Sequence, residues 1–408
     1  MMPTPPVKTS SFSNYQIILV ILFVLILFTI VVDYLTLPAL SAILLSELQI
    51  STSQFGLLVS AYAFSAGISG FLATTFADCF DRKQLLLIYY AGFLLGMLLC
   101  ASAGSWAVLV IARIITGFFG GVVASICFAI ISDLFHIDQR GRVMGYIQMA
   151  FAGSQVGGLP LALYMANQFN WQLTYWIFFG FGLIIIITFL IYIKPINAHL
   201  QLSTKEAPFQ HALKVGINPR YWIVFSNNLL IVLGDVAFMT FSAAYCTNNL
   251  GISLEQLPLL FGIGGAATLI FGPIWGLLSD RFGKLNIFIV GSLLAIFMIL
   301  IYSNLGKVDA WLVILINTLL FIGINARMVT STAIATILPH QADRGTFMAL
   351  DASLQQLAGG IAASAAGLIV FQTDNGMISQ YPLLGFLVIL LMMATIGFMF
   401  LINRLVHK

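Results

Sequence analysis

Charged residues are scarce in this chain. Lys, Arg, Asp and Glu together make up 8% of its 408 residues, whereas hydrophobic residues make up 60% and the mean hydropathy is +1.03. A water-soluble domain of this length could not keep so much apolar surface away from water, which excludes soluble enzymes and soluble binding modules. The composition therefore predicts an integral membrane protein.

Cysteine and clustered basic residues are scarce as well. The four cysteines are scattered at positions 79, 100, 127 and 246, a spacing that forms neither a disulfide framework nor a metal motif. The net charge of +3 is distributed among loops rather than pooled in a patch, so we expect no nucleic-acid partner. The sequence also has no phosphate-binding loop, metal triad or nucleophile arrangement, so we expect no enzymatic activity and no cofactor or metal.

One short charged phrase occurs twice. Phe76–Lys83 reads FADCFDRK and Leu278–Lys284 reads LSDRFGK, 202 residues further on, and each copy lies between two long apolar stretches. Asp33 and Asp235, in the first and seventh apolar stretches, keep the same offset. Such a phrase is typical of a short loop between two membrane-spanning helices, and the equal offsets indicate that the chain is one half written twice.

Twelve apolar spans are present, six in each half. Each has about 20 residues or more, enough to cross a hydrocarbon core of roughly 30 Å at 1.5 Å per residue. We predict an all-α integral membrane fold of twelve transmembrane helices in two six-helix bundles, 16–194 and 221–403, with a polar linker at 195–220, an N-terminal segment at 1–15 and a tail at 404–408. The predicted spans are 16–45, 54–77, 84–104, 106–134, 143–168, 171–194, 221–247, 256–279, 285–304, 309–337, 346–372 and 381–403.

The basic residues predict the orientation. Fourteen Lys and Arg residues fall in the loops and ends of one face, whereas the opposite face has only Lys307. By the positive-inside rule, both termini and the linker are cytoplasmic. All five histidines lie on that same face, outside the bilayer, so we expect no histidine proton relay within the membrane.

Three further groups of residues complete a recognisable pattern. They are Arg113 with Gly117, Gly120 and Gly121, the segment Gly153–Leu161, and the pair Asn170-Trp171. With these groups and the repeated loop, nearly the whole chain resembles a twelve-helix member of the major facilitator superfamily. Within the superfamily it is similar to the drug and sugar efflux branch, which couples export to protons. The resemblance implies two bundles that rock around a central cavity.

The resemblance also implies a gate at the cytoplasmic face. Asp78 would cap a helix of the other half, and Arg82 would pair with Asp133 at the end of the fourth helix. The first loop departs from the family pattern at Cys79 and Asp81, whereas the second follows it. The alternative is that these loops only enforce topology and short turns. The remaining predicted gate residues are Asp280, Arg281 and Asp351.

Ionisable residues inside the spans cost the most free energy to place in a bilayer. Asp33 lies about 17 residues, or roughly 25 Å, into the first span, and Arg113 lies about 7 residues, or roughly 10 Å, from the outer end of the fourth, so their depths suit a pair. A charge at such depth costs on the order of 3 kcal/mol and marks an ion pair or a pathway. We expect Asp33, Arg113 and Asp235 to couple transport to protons. The alternative is a permanent salt bridge that fixes helix packing.

Polar side chains in the helices predict a substrate cavity between the halves. Arg327 lies about ten residues from the repeat position of Arg113, so symmetry is broken there. It either pairs with Asp235 or Asp351 or binds an anionic substrate. The predicted cavity residues are Tyr34, Gln148, Gln155, Asn227, Asn228, Asn325, Arg327, Gln355 and Gln356.

These inferences predict a proton-coupled secondary transporter of the inner membrane that exports small amphipathic or sugar-like molecules. We expect it to work as a monomer in the lipid bilayer, with the proton as coupling ion. One alternative is proton-driven uptake of a metabolite or siderophore, with an anionic substrate held by Arg113 or Arg327. A further alternative is a lipid translocator or receptor-like protein without ion coupling.

Overall fold

The fold is built from α-helices, two of which are followed by breaks that the sequence did not reveal. The computed structural model describes residues 12–76, 80–197, 208–340 and 343–406. The first half contains α1 (Asn14–Ala39), α2 (Ser41–Glu47), α3 (Thr52–Phe76), α4 (Arg82–Ala101), α5 (Trp106–Leu134), α6 (Ile137–Gly153), a π-helical turn (Ser154–Gly158), α7 (Leu159–Gln168) and α8 (Trp171–Tyr192).

The linker contains one short helix and the second half repeats the pattern of the first. The linker helix is α9 (Pro208–Gly216), and the second half contains α10 (Pro219–Thr240), α11 (Ser242–Asn248), a 3₁₀ turn (Leu254–Gln256), α12 (Leu257–Phe282), α13 (Lys284–Ser303), α14 (Ala310–Ala335), α15 (Arg344–Ile369) and α16 (Tyr381–Val406). Between α15 and α16, β1 (Phe371–Gln372) and β2 (Ile378–Ser379) pair antiparallel, with Phe371 opposite Ser379.

Ten helical spans within the described ranges are long and apolar enough to cross a membrane. The predicted span 143–168 is helical as well, and the predicted span 346–372 is helical up to Ile369, after which Phe371 and Gln372 form β1. The first is divided by the π-helical turn between α6 and α7, and the second carries Asp351 and neighbouring glutamines, which lower its hydropathy. The multi-pass helical fold is therefore confirmed, whereas the count of twelve spans is not confirmed by length and hydropathy.

The first helix of each half is broken at the same place. The break after α1 is at Leu40 and the break after α10 is at Phe241, 201 residues apart, so the duplication predicted from the sequence is visible in the backbone. Pro38 lies two residues before the first break and disturbs the last turn of α1 because its ring removes a donor and crowds the preceding turn. The backbone N–H of Ala244 donates to Ser41 Oγ (3.1 Å), so the two broken regions meet.

The two ends of the bundle differ in the elements that they hold. We call one the linker end, which holds the α3–α4 and α12–α13 loops and α9, and the other the far end, which holds the breaks after α1 and α10. Polar caps begin several helices: Ser13 and Gln16 form a capping box on α1, and Asn170 accepts from the backbone N–H of Leu173 (2.8 Å) at the start of α8. Asn170 therefore serves as the N-cap of α8.

Glycines allow neighbouring helices to approach closely. A Cβ at Gly117 on α5 would overlap the Tyr62 carbonyl oxygen of α3, and one at Gly121 would lie 2.6 Å from the Cβ of Ala66. Contacts this short exclude any side chain larger than hydrogen unless a helix moves. The α3–α5 contact therefore requires glycine, and it holds Tyr62 beside Arg113 of α5.

The seam between the halves at α6, α7 and α12 is closed at the far end and open at the linker end. A Cβ at Gly262 on α12 would lie 3.2 Å from Pro160, and one at Gly265 would lie 2.8 Å from the backbone of Gln155. Gly276 lies on the same face of α12 about 16 Å further along, where a Cβ would meet nothing within 4 Å. Gln148, two turns from Gln155 on α6, is exposed. The interface therefore opens towards the linker end.

The seam between α3 and α15 stays closed over most of its length. Near the far end, the Thr52 hydroxyl donates to the carbonyl oxygen of Val370 (2.7 Å), and midway the hydroxyls of Ser60 and Ser364 lie 2.6 Å apart. Towards the linker end, a Cβ at Gly70 would lie 2.6 Å from the Oγ of Ser353. The opening between the halves is therefore asymmetric, with α3 and α15 still in contact while α6 and α12 have separated.

Candidate functional site

A fully buried ion pair lies in the first half. Arg113 of α5 donates through Nη1 to Oδ2 of Asp33 on α1 (2.8 Å), and the two side chains are 1% and 0% exposed. The guanidinium carbon also lies 4.6 Å from the centre of the Tyr62 ring, a cation–π contact. The similar depths of Asp33 and Arg113 in the membrane indicated that they could pair, and the structure shows their side chains in direct contact.

This pair is bound through one oxygen only. Asp33 Oδ1 and Arg113 Nε have no hydrogen-bond partner within the part of the chain that the structure describes. A bidentate guanidinium–carboxylate pair would use both carboxylate oxygens and would be harder to separate. The arrangement leaves one carboxylate oxygen able to accept a proton without first breaking a hydrogen bond.

A second ion pair lies in the other half. Arg327 Nη1 of α14 donates to Asp235 Oδ1 of α10 (2.9 Å), Arg327 Nη2 donates to Thr395 Oγ1 (3.3 Å), and the guanidinium carbon lies 5.8 Å from the centre of the Phe288 ring. The Arg327 side chain is 1% exposed and the Asp235 side chain 14%. Of the two carboxylates that the sequence left open for Arg327, the structure brings Asp235 to it. Thr395 was missed because a lone threonine in an apolar helix carries no signal.

Asp351, predicted at the gate, lies in a buried amide network of the second half. Its Oδ2 accepts from Asn228 Nδ2 (2.9 Å) and from Gln355 Nε2 (2.8 Å). Ser331 donates to Asn228 Oδ1 (2.6 Å) and accepts from Asn227 Nδ2 (3.0 Å), so α10, α14 and α15 are joined. The structure places Asn227 and Asn228 between helices rather than on an open surface, and the participation of Ser331 was not foreseen.

Of the other predicted cavity residues, Gln155 contacts the opposite half, whereas the contacts of Tyr34 and Asn325 are within their own halves. Gln155 Oε1 accepts from Thr268 Oγ1 (2.7 Å), a hydrogen bond between the two halves. The Oδ1 atom of Asn325 is 3.6 Å from the Cβ that Gly272 lacks. The ring of Tyr34 lies 5.6 Å from that of Tyr62, next to the first ion pair, and Gln356 is half-buried on α15 beside Gln355.

At the linker end, Arg82 and Asp133 form the pair that the resemblance implied. Arg82 Nε lies 2.8 Å from Asp133 Oδ2. Asp280 lies 4.0 Å from Lys284 Nζ and is largely exposed, and Arg281 stacks on Phe282 with its guanidinium carbon 5.3 Å from the ring centre. Asp78, the remaining predicted gate residue of the first loop, lies outside the described residues.

Asp81, where the first loop departs from the family pattern, caps a helix and binds the linker. Its Oδ1 accepts from the backbone N–H groups of Lys83 (2.8 Å) and Gln84 (3.1 Å) and so caps α4. Its Oδ2 accepts from the backbone N–H of Ile196 (3.0 Å), where the linker begins. The carboxylate therefore ties the linker to the first loop, which a glycine could not do.

Each of the two similar halves contains one buried ion pair, and comparison with known proteins identifies the family to which such a chain belongs. The family model described as Major Facilitator Superfamily matches residues 22–363. The chain belongs to the Major Facilitator Superfamily. It is thus a multi-pass membrane protein of a transporter family and not an enzyme.

Relatives of this superfamily member include several bacterial proteins. The uncharacterized MFS-type transporter YceJ of Bacillus subtilis is 24% identical over 294 residues, 71% of this chain and 74% of the relative. The quinolone resistance protein NorA of Staphylococcus aureus is 24% identical over 290 residues, 68% of this chain and 71% of the relative. Since both are bacterial, they imply a plasma membrane location.

A solved structure with the same fold is that of a bacterial homologue of the human lysosomal transporter Spinster in an inward-facing and occupied conformation. The TM-score is 0.76 with 14% sequence identity, over 97% of this chain and 98% of the other. At this identity the likeness concerns the fold alone. It agrees with the two-bundle architecture that the repeat predicted.

Proposed function

We propose that this protein is a proton-coupled secondary transporter that exports small amphipathic molecules from the cytoplasm by alternating access. The observation that carries the proposal is the buried pair of Asp33 and Arg113, held 2.8 Å apart through one carboxylate oxygen. A charged pair in a membrane-spanning bundle is costly, and such groups mark ion pathways more often than they serve packing. The relative NorA, named for quinolone resistance, and Multidrug resistance protein 2 of Bacillus subtilis, 24% identical over 272 residues, support the substrate class.

Protonation of Asp33 would act on the pair directly. It would remove the charge that holds Arg113, an attraction of about 4 kcal/mol for unit charges about 4 Å apart at an effective dielectric constant near 20. The guanidinium would then be free to turn further onto the face of Tyr62, which it already contacts. The pair therefore has two arrangements that differ by one proton, which is what an ion-coupled transporter requires.

A short mechanical connection links Asp33 to the seam between the halves. The α1 helix continues for only six residues after Asp33, from Tyr34 to Ala39, about 9 Å, before it breaks at Leu40. Directly after the break, Ser41 accepts from the backbone of Ala244 in the other half. A change in the Asp33–Arg113 pair would therefore shift α1 near the contact that closes the far end.

The second pair provides the same chemistry in the other half. Asp235 Oδ2, like Asp33 Oδ1, is buried and has no hydrogen-bond partner within the described residues, so each pair leaves one carboxylate oxygen able to accept a proton. We infer that coupling involves both acids.

The polar groups near the seam favour neutral or cationic substrates over anionic ones. Both membrane arginines, Arg113 and Arg327, are already bound to carboxylates. The polar groups that remain include the amides of Gln148 and Asn325 and the phenol of Tyr34. An anionic metabolite would have to displace Asp33 or Asp235 to bind an arginine, so uptake of an anion is the less favoured alternative.

The predicted orientation completes the proposal. With the linker end in the cytoplasm, the described conformation is open to the cytoplasm and closed outside, ready to accept a substrate for export. A monomer contains both bundles and both ion pairs, so we propose no partner beyond the substrate and the bilayer of the plasma membrane.

Proteoliposomes test this function. A panel of fluorescent amphipathic cations, ethidium and Hoechst 33342 among them, is loaded and an inward proton gradient is imposed. We expect the wild type to expel at least one probe, the Asp33→Asn variant to lose the response to the gradient, and the control Asp374→Asn, altered in an exposed loop, to behave as the wild type. The proposal is wrong if Asp33→Asn responds to the gradient as fully as the wild type. Probe accumulation driven by the same gradient would indicate uptake instead.

A further inference from the structure

A third acid lies within the membrane-spanning helices, and no cation contacts it in the part of the chain that the structure describes. Asp351 of α15 is 3% exposed, and its two hydrogen-bond partners are the amides of Asn228 and Gln355. Asp33 and Asp235, by contrast, each bind an arginine. A buried carboxylate without a cation is strongly disfavoured, and such a group takes up a proton rather than stay ionised. Asp351 therefore differs in kind from the two paired acids.

The titratable side chains on the helices around Asp351 contact other groups or are exposed. The Arg220 guanidinium donates to the carbonyl oxygen of Leu405 (3.3 Å), and Lys214 is exposed on α9. The side chains concerned are Tyr62 of α3, His211 and Lys214 of α9, Arg220, Tyr221 and Asp235 of α10, Arg327 of α14, Arg344 of α15, and Tyr381 and Arg404 of α16. Within the described residues, no hydrogen bond or ion pair joins any of them to Asp351. These side chains therefore leave a charge on Asp351 uncompensated.

The hydrogen bonds around Asp351 converge on one of its two oxygens. Asn228 Nδ2 (2.9 Å) and Gln355 Nε2 (2.8 Å) both donate to Oδ2. The Asn228 amide is oriented by Ser331, whose hydroxyl donates to Asn228 Oδ1 (2.6 Å). Asp351 Oδ1 is buried and has no hydrogen-bond partner among the described residues. In a neutral carboxylic acid one oxygen accepts and the other carries the hydrogen, so this arrangement fits a proton on Oδ1.

The same donors argue against a metal ion at this position. A hard cation such as Na⁺ binds several oxygen ligands. Asn228 and Gln355 instead turn their N–H groups towards the carboxylate, and the positive ends of these dipoles repel a cation. The hydroxyl hydrogen of Ser331 is directed to Asn228. A proton needs only one free oxygen, and Oδ1 of Asp351 supplies it.

We propose that Asp351 is a third proton-binding site and that its Oδ1 carries the proton in this conformation. The proposal goes beyond coupling through Asp33 and Asp235. It does not depend on export or on the transported substrate, because it concerns proton binding at equilibrium. Gln355 is half-buried and lies one helical turn from Asp351, so the site is at the edge of the buried network and a proton passes one side chain to reach it.

The site lies beside the seam between α3 and α15. Ser353 follows Asp351 by two residues and faces α3, where a Cβ at Gly70 would lie 2.6 Å from the Ser353 Oγ. Two residues correspond to about 200° around a helix axis, so one turn of α15 presents Asp351 to α10 and Ser353 to the other half. Loss of the proton would leave an uncompensated charge between α15 and α10. Proton occupancy is therefore linked to the position of α15 at the seam.

Infrared difference spectroscopy tests the proposal. Spectra of the purified protein in lipid are recorded between about pH 5 and pH 8, and the spectrum of Asp351→Asn is subtracted from that of the wild type. At about pH 5 a free aspartate, with a pKa of about 3.9, is ionised. We expect the C=O stretching band of one neutral carboxylic acid at this pH, shifted in D₂O. Absence of the band from the difference spectrum at about pH 5 would overturn the proposal.

Controls and one further variant complete the experiment. Asp374→Asn, altered in an exposed loop, should give no such band when it is subtracted in the same way. Gln355→Met removes one donor to the ionised form, so the band should persist to higher pH, with a midpoint raised by about one pH unit or more. Gln356→Met, beside it on α15, should leave the midpoint unchanged, and equal midpoints in the two variants would contradict the assignment.

The ion is identified by comparing salts. The spectra are recorded in sodium chloride and in choline chloride at equal ionic strength, and the band should be the same in both. Loss of the band in sodium chloride would show that a metal ion replaces the proton, and the proposal would be wrong. Since no transport is measured, failure of the proposed export function would leave these results unaffected.

Discussion

The Arg113→Gln variant gives the sharpest test of the buried ion pair. The substitution removes the cation that lies 2.8 Å from Asp33 and leaves a carboxyl group whose side chain is 0% exposed. Such a group cannot stay ionised without a partner, because an uncompensated buried charge costs several kcal/mol. We therefore expect Asp33 to take up a proton when this variant folds.

The magnitude follows from the ordinary pKa of aspartate, about 3.9. Protonating a carboxyl group at pH 7 costs about 1.4 kcal/mol for each pH unit above that value, or about 4 kcal/mol in all. This agrees with the roughly 3–5 kcal/mol lost when one partner of a buried pair is removed. Since the folded variant binds one proton more than the unfolded chain, its stability should fall by about 1.4 kcal/mol for each unit of rising pH.

Reversible unfolding by SDS in mixed micelles, followed by circular dichroism between about pH 6 and pH 8, measures this slope. Asp33→Asn/Arg113→Gln is the matched control, because it loses the same cation and the same contact with Tyr62 but has no acid to protonate. Asp33→Asn alone leaves an arginine that stays charged, so its loss of stability should not change with pH. If Arg113→Gln and the double variant show the same pH slope, the buried carboxyl group is not the cause and the reasoning fails.

Two other predictions concern the contacts between helices. Gln155→Cys/Gly265→Cys should cross-link on oxidation after α12 moves outward by about 1 Å, because a Cβ at Gly265 would lie 3.0 Å from that of Gln155 and a disulfide spans about 3.8 Å. Transport should stop and recover on reduction, and full-rate transport by the cross-linked protein would refute closure at this seam. Gly117→Ala should destabilise the protein by about 1–3 kcal/mol in the same SDS titration, because its Cβ meets the Tyr62 carbonyl. Gly180→Ala, with nothing within 4 Å, should be neutral or slightly stabilising, and equal losses in the two variants would contradict the packing argument.

Much of the helical architecture could be predicted from hydropathy and the repeat. The spans 106–134 and 285–304 agree with α5 (Trp106–Leu134) and α13 (Lys284–Ser303) to within one residue at either end. The breaks after α1 and α10 were not predicted. Pro38 is a signal for the first of them, but no proline lies near Phe241, so the second break follows from contacts at the far end rather than from local preference.

The sequence could not predict which carboxylate pairs with Arg327. Depth in the membrane limits the candidates to Asp235 and Asp351, because distance along a helix follows from 1.5 Å per residue. Choosing between them requires the rotation of α10, α14 and α15 about their axes. Asp351 is held by Asn228 and Gln355, which leaves Asp235 for the arginine.

Hydropathy, the internal repeat and the positions of the charged residues were enough to predict that the chain lies in a membrane, that its halves are duplicates and that a few charges lie deep within the bilayer. These conclusions need only the linear sequence, since hydropathy, repeat spacing and depth along a helix all follow from position in the chain. The packed fold was needed to show that Arg327 pairs with Asp235 and that the seam between α6 and α12 opens at the linker end. Helices that are apolar on every face carry no sequence signal for the direction of each face, so helix rotation is settled by packing between helices.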